Sequence, residues 1–201
     1  MNAERREASG RRVVVILGSP RREGNSAALA GAVAAGASSM GAETRTFRLH
    51  EMDISFCNAC NQCRTETSRD CVIEDGMQSL YGAIRAADVL VIATPIYWWT
   101  MAAQTKTFLD RCYALGGPQG HGLAGKEVVI IMTYEGADPL LCGAMNALRT
   151  FQDGFTSLGA RIVGTIHGRA DRAGAIRSNK ELVEKARRLG EELGSRAQRN
   201  T

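Results

Sequence analysis

The chain lacks a long apolar run. Nowhere in its 201 residues does a stretch approach the roughly 20 apolar residues that a membrane-spanning helix requires. The first twelve residues, MNAERREASGRR, are charged and carry none of the apolar stretch of a secretory signal, so a cytoplasmic protein is expected, with no membrane partner. A basic stripe interleaved with aromatics is also missing. The formal net charge of +4 sits at the ends: residues 1–12 hold four Arg against two Glu, and residues 185–201 hold five Lys or Arg against two Glu. Such ends are usually solvated, and the near-neutral body between them argues against nucleic acid as a partner. The histidines His50, His121 and His167 are scattered, with no serine, cysteine or carboxylate set that would make a triad. His121, within GGPQGHGLAG, reads as a solvated loop residue. No internal repeat, low-complexity stretch or linker divides the chain. One domain over residues 12–195 is expected, with flexible tails at 1–11 and 196–201.

Against these absences, four short apolar runs stand out: VVVIL (13–17), VLVIA (89–93), VVIIM (128–132) and RIVGTI (161–166). Nearly unbroken runs rich in β-branched residues are the pattern of strands buried on both faces, as in a parallel sheet with helices on each side. ETRTFRL (43–49) alternates polar and apolar and reads as an edge strand. Helical stretches fall between the strands. Residues 25–40 are rich in Ala and Gly, which suits close packing. Residues 75–85 carry Met77, Leu80, Tyr81 and Ile84 on one stripe. Met101, Thr105, Phe108, Leu109 and Cys112 form another, with Lys106 and Asp110 opposite as a surface pair. Residues 139–158 and 179–195 complete five alternating units, which predict a doubly wound α/β sheet.

In such a sheet, ligands bind beyond the carboxyl ends of the strands, where the strand order reverses. The first run leads into GSPRREGNS (18–26) and then a helix. Free N–H groups at a helix start make an anion site. The hydroxyls of Ser19 and Ser26 and the guanidinium of Arg21 can add bonds to a phosphate. The plainer reading is a turn capped by Asn25 or Ser26. The loop is neither a Walker A sequence nor G-x-G-x-x-G, which argues against a nucleoside triphosphate or a Rossmann dinucleotide. TPIYWWT (94–100) holds both tryptophans of a chain that is only 5% aromatic. Aromatics bunched at a strand end make a flat wall for a planar ring, unless they pack under the next helix. TYEGAD (133–138) offers backbone N–H groups and one more aromatic face. The three loops together suit a ligand with one phosphate and a large flat ring.

FCNACNQCRTETSRDC (56–71) holds four of the six cysteines, spaced C-x2-C-x2-C-x7-C. In the cytoplasm, clustered thiols point to metal or redox chemistry. Cys112 and Cys142 lie on helical stretches and read as small core residues.

GSPRREGNS, the aromatic loop running on as TPIYWWTMAAQTKTFLDR, and the cysteine stretch leading into CVIEDGM resemble the flavodoxin-like NAD(P)H-dependent FMN reductases over residues 12–167. Within them the resemblance is to the iron–sulfur flavoproteins. It implies a flavodoxin-like three-layer sandwich with a five-stranded parallel sheet of order 2-1-3-4-5 that binds FMN. It implies that Ser19, Arg21, Asn25 and Ser26 hold the phosphate. Pro95, Ile96, Tyr97 and Trp98 would line the isoalloxazine ring, and Thr133, Tyr134 and Glu135 would form the third loop. Cys57, Cys60, Cys63 and Cys71 resemble the ligands of a [4Fe–4S] cluster. Zinc, which more often uses two distant C-x2-C knuckles, and metal-free oxidisable thiols stay open beside it.

The implied function is an FMN-dependent oxidoreductase, an enzyme that takes hydride from NAD(P)H and passes electrons to a quinone, a flavin or an Fe–S cluster. Its chemistry would be the flavin's, so no acid or base residue is named. An approach of Arg111 to the flavin edge is a minor alternative. Two other classes remain: an electron carrier between protein partners such as ferredoxin, and a thiol redox sensor. A homodimer or homotetramer is implied by the resemblance.

Overall fold

The computed structural model describes residues 10–65, 70–118 and 120–196. Five main strands form: β1 (Arg12–Leu17), β2 (Glu43–Arg48), β3 (Val89–Tyr97), β4 (Glu127–Tyr134) and β5 (Arg161–Arg169). They pair in parallel in the order 2-1-3-4-5. A two-residue strand, Thr100–Met101, folds back antiparallel on the end of β3. Four helices connect the strands, α1 (Asn25–Ser39), α2 (Met77–Ala86), α3 (Ala103–Arg111) and α4 (Ala144–Ser157), and α5 (Lys180–Ser195) follows β5. No helix among the described residues is long and apolar enough to cross a membrane.

Successive strand residues point to opposite faces. Val14, Ile16, Leu90, Ile92 and Ile130 pack under α2, α3 and α4, against Leu80, Tyr81, Phe108 and Phe151. Val13, Val15, Val91, Val129 and Ile131 pack under α1 and α5, against Leu29, Val33 and Leu193. Burial on both faces is why the central strands read as unbroken apolar runs. The alternating β2 is the sheet's edge and stays partly exposed.

Composition also explains the closest helix contact. α1 and α5 approach until a Cβ at Gly36 would overlap the Arg187 carbonyl, and one at Gly190 would overlap the Val33 carbonyl. At the opposite end of the sheet from the strand-end loops, Glu127 is buried at the start of β4. Its carboxylate accepts from Arg11 at 3.0 Å, Arg161 at 2.7 Å and Arg196 at 3.3 Å. Arg11 is itself buried and also donates to the Leu193 carbonyl. Arg11 and Arg196, at the inner ends of the expected tails, thus both reach Glu127, Arg11 from a buried position and Arg196 from an exposed one. The rest of those tails, residues 1–9 and 197–201, lies outside the described residues.

Gly190→Ala is expected to push α5 off α1 and to cost about 1–3 kcal/mol, as overpacking does. Urea unfolding followed by far-UV circular dichroism checks this; an unchanged midpoint would mean that the crossing tolerates a methyl group.

Candidate functional site

Three loops meet beyond the carboxyl ends of β1, β3 and β4. The Gly18 N–H donates to the Ala93 carbonyl at 2.8 Å, which seats the first loop against β3. The Arg21 N–H donates to Ser19 Oγ at 3.2 Å, and the Gly24 N–H closes the turn on the Arg21 carbonyl at 3.1 Å. α1 then starts with Gly24 as its N-cap and with no side chain capping it. Its first N–H groups are thus left for an anion. The expected caps are used otherwise. The Asn25 amide donates to the Arg172 carbonyl at 2.8 Å and accepts from the Ile176 N–H at 3.1 Å, tying α1 to the segment before α5. Ser19 and Ser26 are buried in the turn, and Arg21 is exposed. Of the four residues expected at a phosphate, Asn25 bonds across to the segment before α5, and Ser19 Oγ accepts within its own turn.

The second loop is a tight hairpin. Tyr97 pairs with Thr100 across a two-residue turn made of Trp98 and Trp99, whose φ angles are +48° and +61°. Two left-handed residues in such a turn suit Asn-Gly; bulky side chains there are strained. Trp99 is anchored. Its indole N–H donates to the Leu141 carbonyl at 2.8 Å, Asn146 Nδ2 reaches its carbonyl at 3.4 Å, and Gly143 (φ +87°) lies where any Cβ would overlap its backbone. Trp98, edge-on to Trp99 at 5.3 Å, is 89% exposed. Below the turn, Thr94 Oγ1 accepts from the Ala102 N–H and the Thr105 hydroxyl, each at 3.1 Å, and donates to the Pro95 carbonyl. Pro95 is the buried stem, Ile96 is half-buried, and Tyr97 and Trp98 are displayed.

In the third loop Thr133 and Tyr134 are buried and Glu135 is exposed. The Tyr134 hydroxyl meets His167 Nδ1 at 2.9 Å. Burial, with Cys142 and Asp138 nearby, pushes this phenol up. Tyr134 is thus a packed residue and not the open aromatic face that the sequence suggests. The exposed side chains of this loop include Leu140 and Leu141, and the Trp99–Leu141 bond joins them to the tryptophans as one apolar rim.

All four clustered cysteines line a single cavity of about 640 Å³, beside Arg64, Tyr113 and His121. All six thiols are free. Ala59 and Asn61 adopt left-handed φ of +57° and +56°. The Ala59 N–H donates to Cys57 Sγ at 3.5 Å, and the Cys60 N–H to Asn58 Oδ1 at 3.3 Å. Among the described residues, no three His, Cys, Asp or Glu side chains are grouped closely enough to hold one metal ion. Cys112 is a buried core residue as expected, yet it borders the same cavity.

Residues 11–168 match the NADPH-dependent FMN reductase family. The chain belongs to that family. Its relatives include an iron–sulfur flavoprotein of Archaeoglobus fulgidus, 32% identical over 62% of this chain, and one of Methanosarcina thermophila, 36% identical over 52%. The chain spans about half the length of these curated relatives, 55% and 53%. Among solved structures, an NAD(P)H:quinone oxidoreductase from Methanothermobacter marburgensis superimposes with a TM-score of 0.71 over 92% of this chain and 97% of the other, at 18% identity. An archaeal flavodoxin gives 0.55 over 92% and 96%, at 14% identity. At such identities the likeness establishes the flavodoxin-like fold alone.

On this family fold the cysteine segment is held by residues that the motifs do not name. Arg111, the last residue of α3, is 1% exposed. It does not reach outward from α3. Its Nη1 donates to the Ser55 carbonyl at 2.7 Å and Asp75 Oδ2 at 2.6 Å, and its Nη2 to Asp75 Oδ1 at 3.1 Å. Burial alone would raise the Asp75 carboxyl; the Arg111 bonds and the N–H groups of Ser55 and Met77 outweigh it and hold it below the usual range. Arg64 stacks over Tyr113, 3.8 Å from the ring centre, beside Cys63. Burial and then the neighbouring Cys71 push the Cys63 thiol up. His121 is half-buried: its Nδ1 accepts from the Leu123 N–H, so Nε2 donates to the Cys112 carbonyl, and burial lowers its pKa. A signal for Arg111 exists in hindsight, because it stands three residues beyond Phe108 on a buried stripe, where a charge needs a partner.

Two outcomes follow from this geometry. Trp98→Gly removes a strained, exposed side chain, so stability by urea unfolding is expected to stay level or rise by up to about 1 kcal/mol, while FMN affinity in a fluorescence titration falls. A clear loss of stability would mean that Trp98 is structural. Because the Asp75 pKa is depressed, its stabilisation is complete above the ordinary carboxylate value near about 4 and fades as pH falls through the lower folded value. Asp75→Asn should therefore flatten the acid limb of the stability–pH curve, measured by thermal unfolding.

Proposed function

We propose that the protein is an FMN-dependent oxidoreductase that takes hydride from NAD(P)H and passes electrons to a second acceptor. One juxtaposition carries this reading: an uncapped helix start and an outward-held tryptophan share the carboxyl edge of a 2-1-3-4-5 sheet. The first suits a phosphate and the second a flat ring. The N–H groups at the start of α1, with Ser19, Arg21 and Ser26, would hold the phosphate. Asn25 would contribute through its backbone. Ile96, Tyr97 and Trp98 would lie along the isoalloxazine ring on the Pro95 stem, and Thr133, Tyr134 and Glu135 would close the third side. FMN supplies the capacity to accept a hydride and to release electrons singly or in pairs. The chain's own part is to bind, to orient and, through the rim of Trp98, Trp99 and Leu141, to keep water from the ring. No side chain is assigned a proton.

The thiol cavity favours a second reading, an electron carrier serving protein partners such as a ferredoxin. In either case Cys57, Cys60, Cys63 and Cys71 would hold a [4Fe–4S] cluster. The donor set supports this: four soft thiols around one cavity, with an N–H already directed at the Cys57 sulfur. One zinc ion would gather its sulfurs to about 2.3 Å from a single centre, and a cavity of about 640 Å³ suits a larger group better. Free thiols suit the reducing cytoplasm. NAD(P)H and a small-molecule or protein acceptor are the partners this reading requires, and a homodimer or homotetramer is its assembly.

The test is anaerobic purification, FMN addition and titration. Bleaching of the flavin by NADH or NADPH is expected, together with about four irons and four sulfides per chain, as the cluster formula requires. If neither nucleotide bleaches the flavin while a reduced ferredoxin does so rapidly, the reductase gives way to the carrier.

A further inference from the structure

We infer that Arg111 is a positioning residue for the cysteine segment, acting through Asp75 to hold Cys71 against the Cys57–Cys63 run. The inference rests on the cluster reading above. Ser55 lies two residues before Cys57, and Ile73 lies two residues after Cys71. One guanidinium binds both carbonyls, Ser55 at 2.7 Å and Ile73 at 3.4 Å. Asp75 accepts two bonds from the same guanidinium and one from the Ser55 N–H at 2.9 Å. Ser55 is therefore gripped at both its N–H and its C=O. Gln78 adds a second hold on the far end of the segment, donating to the Cys71 carbonyl at 2.8 Å and the Ile73 carbonyl at 2.9 Å. The thiols thus hang on a short stretch of chain whose two ends are brought together by one cation.

The burial of this pair is informative. The side chains are 0% and 5% exposed. Apolar residues in place of a buried ion pair are often as stabilising or more so. They cannot pin two carbonyls and an amide at fixed positions. The Arg111 fork does so. The next residue, Cys112, borders the thiol cavity, so the clamp adjoins the space it shapes.

The experiment compares anaerobically reconstituted wild type with Arg111→Lys, which keeps the charge but loses the fork, and with Asp75→Asn. FMN titration reports whether each variant is folded at the remote flavin loops. If Arg111→Lys fails that check, Asp75→Asn decides alone. Both variants should lose iron to a ferrous chelator more readily, by about 10- to 100-fold in affinity, the usual effect of removing a group that orients a metal ligand. Asp75→Asn should also raise the cluster's midpoint potential, because an uncompensated guanidinium favours the more negative reduced cluster; general loosening of the fold has no reason to move it that way. Wild-type iron retention with an unchanged potential overturns the inference. A wild type that takes up neither iron nor sulfide overturns the cluster reading instead. The metal-free chain then decides the positioning: diamide, which takes two electrons and two protons from a pair of thiols, should join Cys71 to the Cys57–Cys63 run about tenfold more slowly in Arg111→Lys, since their effective concentration falls. Equal rates by mass spectrometry would refute it.

Discussion

The buried pair of Arg111 and Asp75 holds the described residues on either side of the cysteine segment. Between β2 and α2 the described residues form only two short turns of 3-10 helix. Such a segment lacks the ladder bonds that position a strand and the packed face that positions a helix. Its place must come from a few strong contacts. Each member of the pair keeps the other charged: burial opposes the charge on Arg111, and the bonds to Asp75 more than restore it. Removing one partner from such a pair typically costs about 3–5 kcal/mol, because the survivor is left buried and unpaired. The surface pair Lys106–Asp110, one turn away and largely exposed, is no substitute.

One short helix connects the two candidate sites. α3 begins beside the aromatic hairpin, where Thr105 bonds Thr94 and sits so close to Gly18 that a Cβ there would overlap its hydroxyl. It ends at Arg111, in the clamp on the cysteine segment. At about 1.5 Å per residue, nine residues set the two ends roughly 13 Å apart. Phe108, fully buried between them, fixes the helix on the sheet. The flavin loops and the thiol cavity are therefore held in mutual register by one rigid, core-packed element.

What was legible in the sequence follows from the range of the interactions. The five strands were readable because burial on both faces writes itself into consecutive residues such as VLVIA and VVIIM. The glycine turn and the bunched aromatics were readable for the same local reason. The clamp was not, because Arg111 binds residues 56 and 36 positions away, and nothing near TFLDR announces Ser55 or Asp75. The bonds of Arg11 and Arg196 are hidden for a like cause: their partner, Glu127, lies in the middle of the chain. Asn25 reads as a cap or a phosphate ligand from its neighbours alone, and nothing near it announces its side-chain bonds to Arg172 and Ile176 at the far end of the chain.

Backbone strain is common to the two sites. Among the described residues, four non-glycine positions have positive φ: Ala59, Asn61, Trp98 and Trp99. Asparagine tolerates that region; alanine and tryptophan do so at a cost of about 1–2 kcal/mol each. None of the four lies in the core or in a connecting turn elsewhere. Two shape the thiol run, where a left-handed residue at Ala59 accompanies the N–H directed at the Cys57 sulfur. Two shape the hairpin that lifts Trp98 clear of the surface. Strain of this kind persists only where surrounding contacts over-determine it. Around Trp99 those contacts are visible in Leu141, Gly143 and Asn146, and at Asn61 the carbonyl accepts from the Arg64 N–H. The fold spends stability at these two places, and at both the strained backbone presents chemistry, an aromatic face in one and a row of thiols in the other.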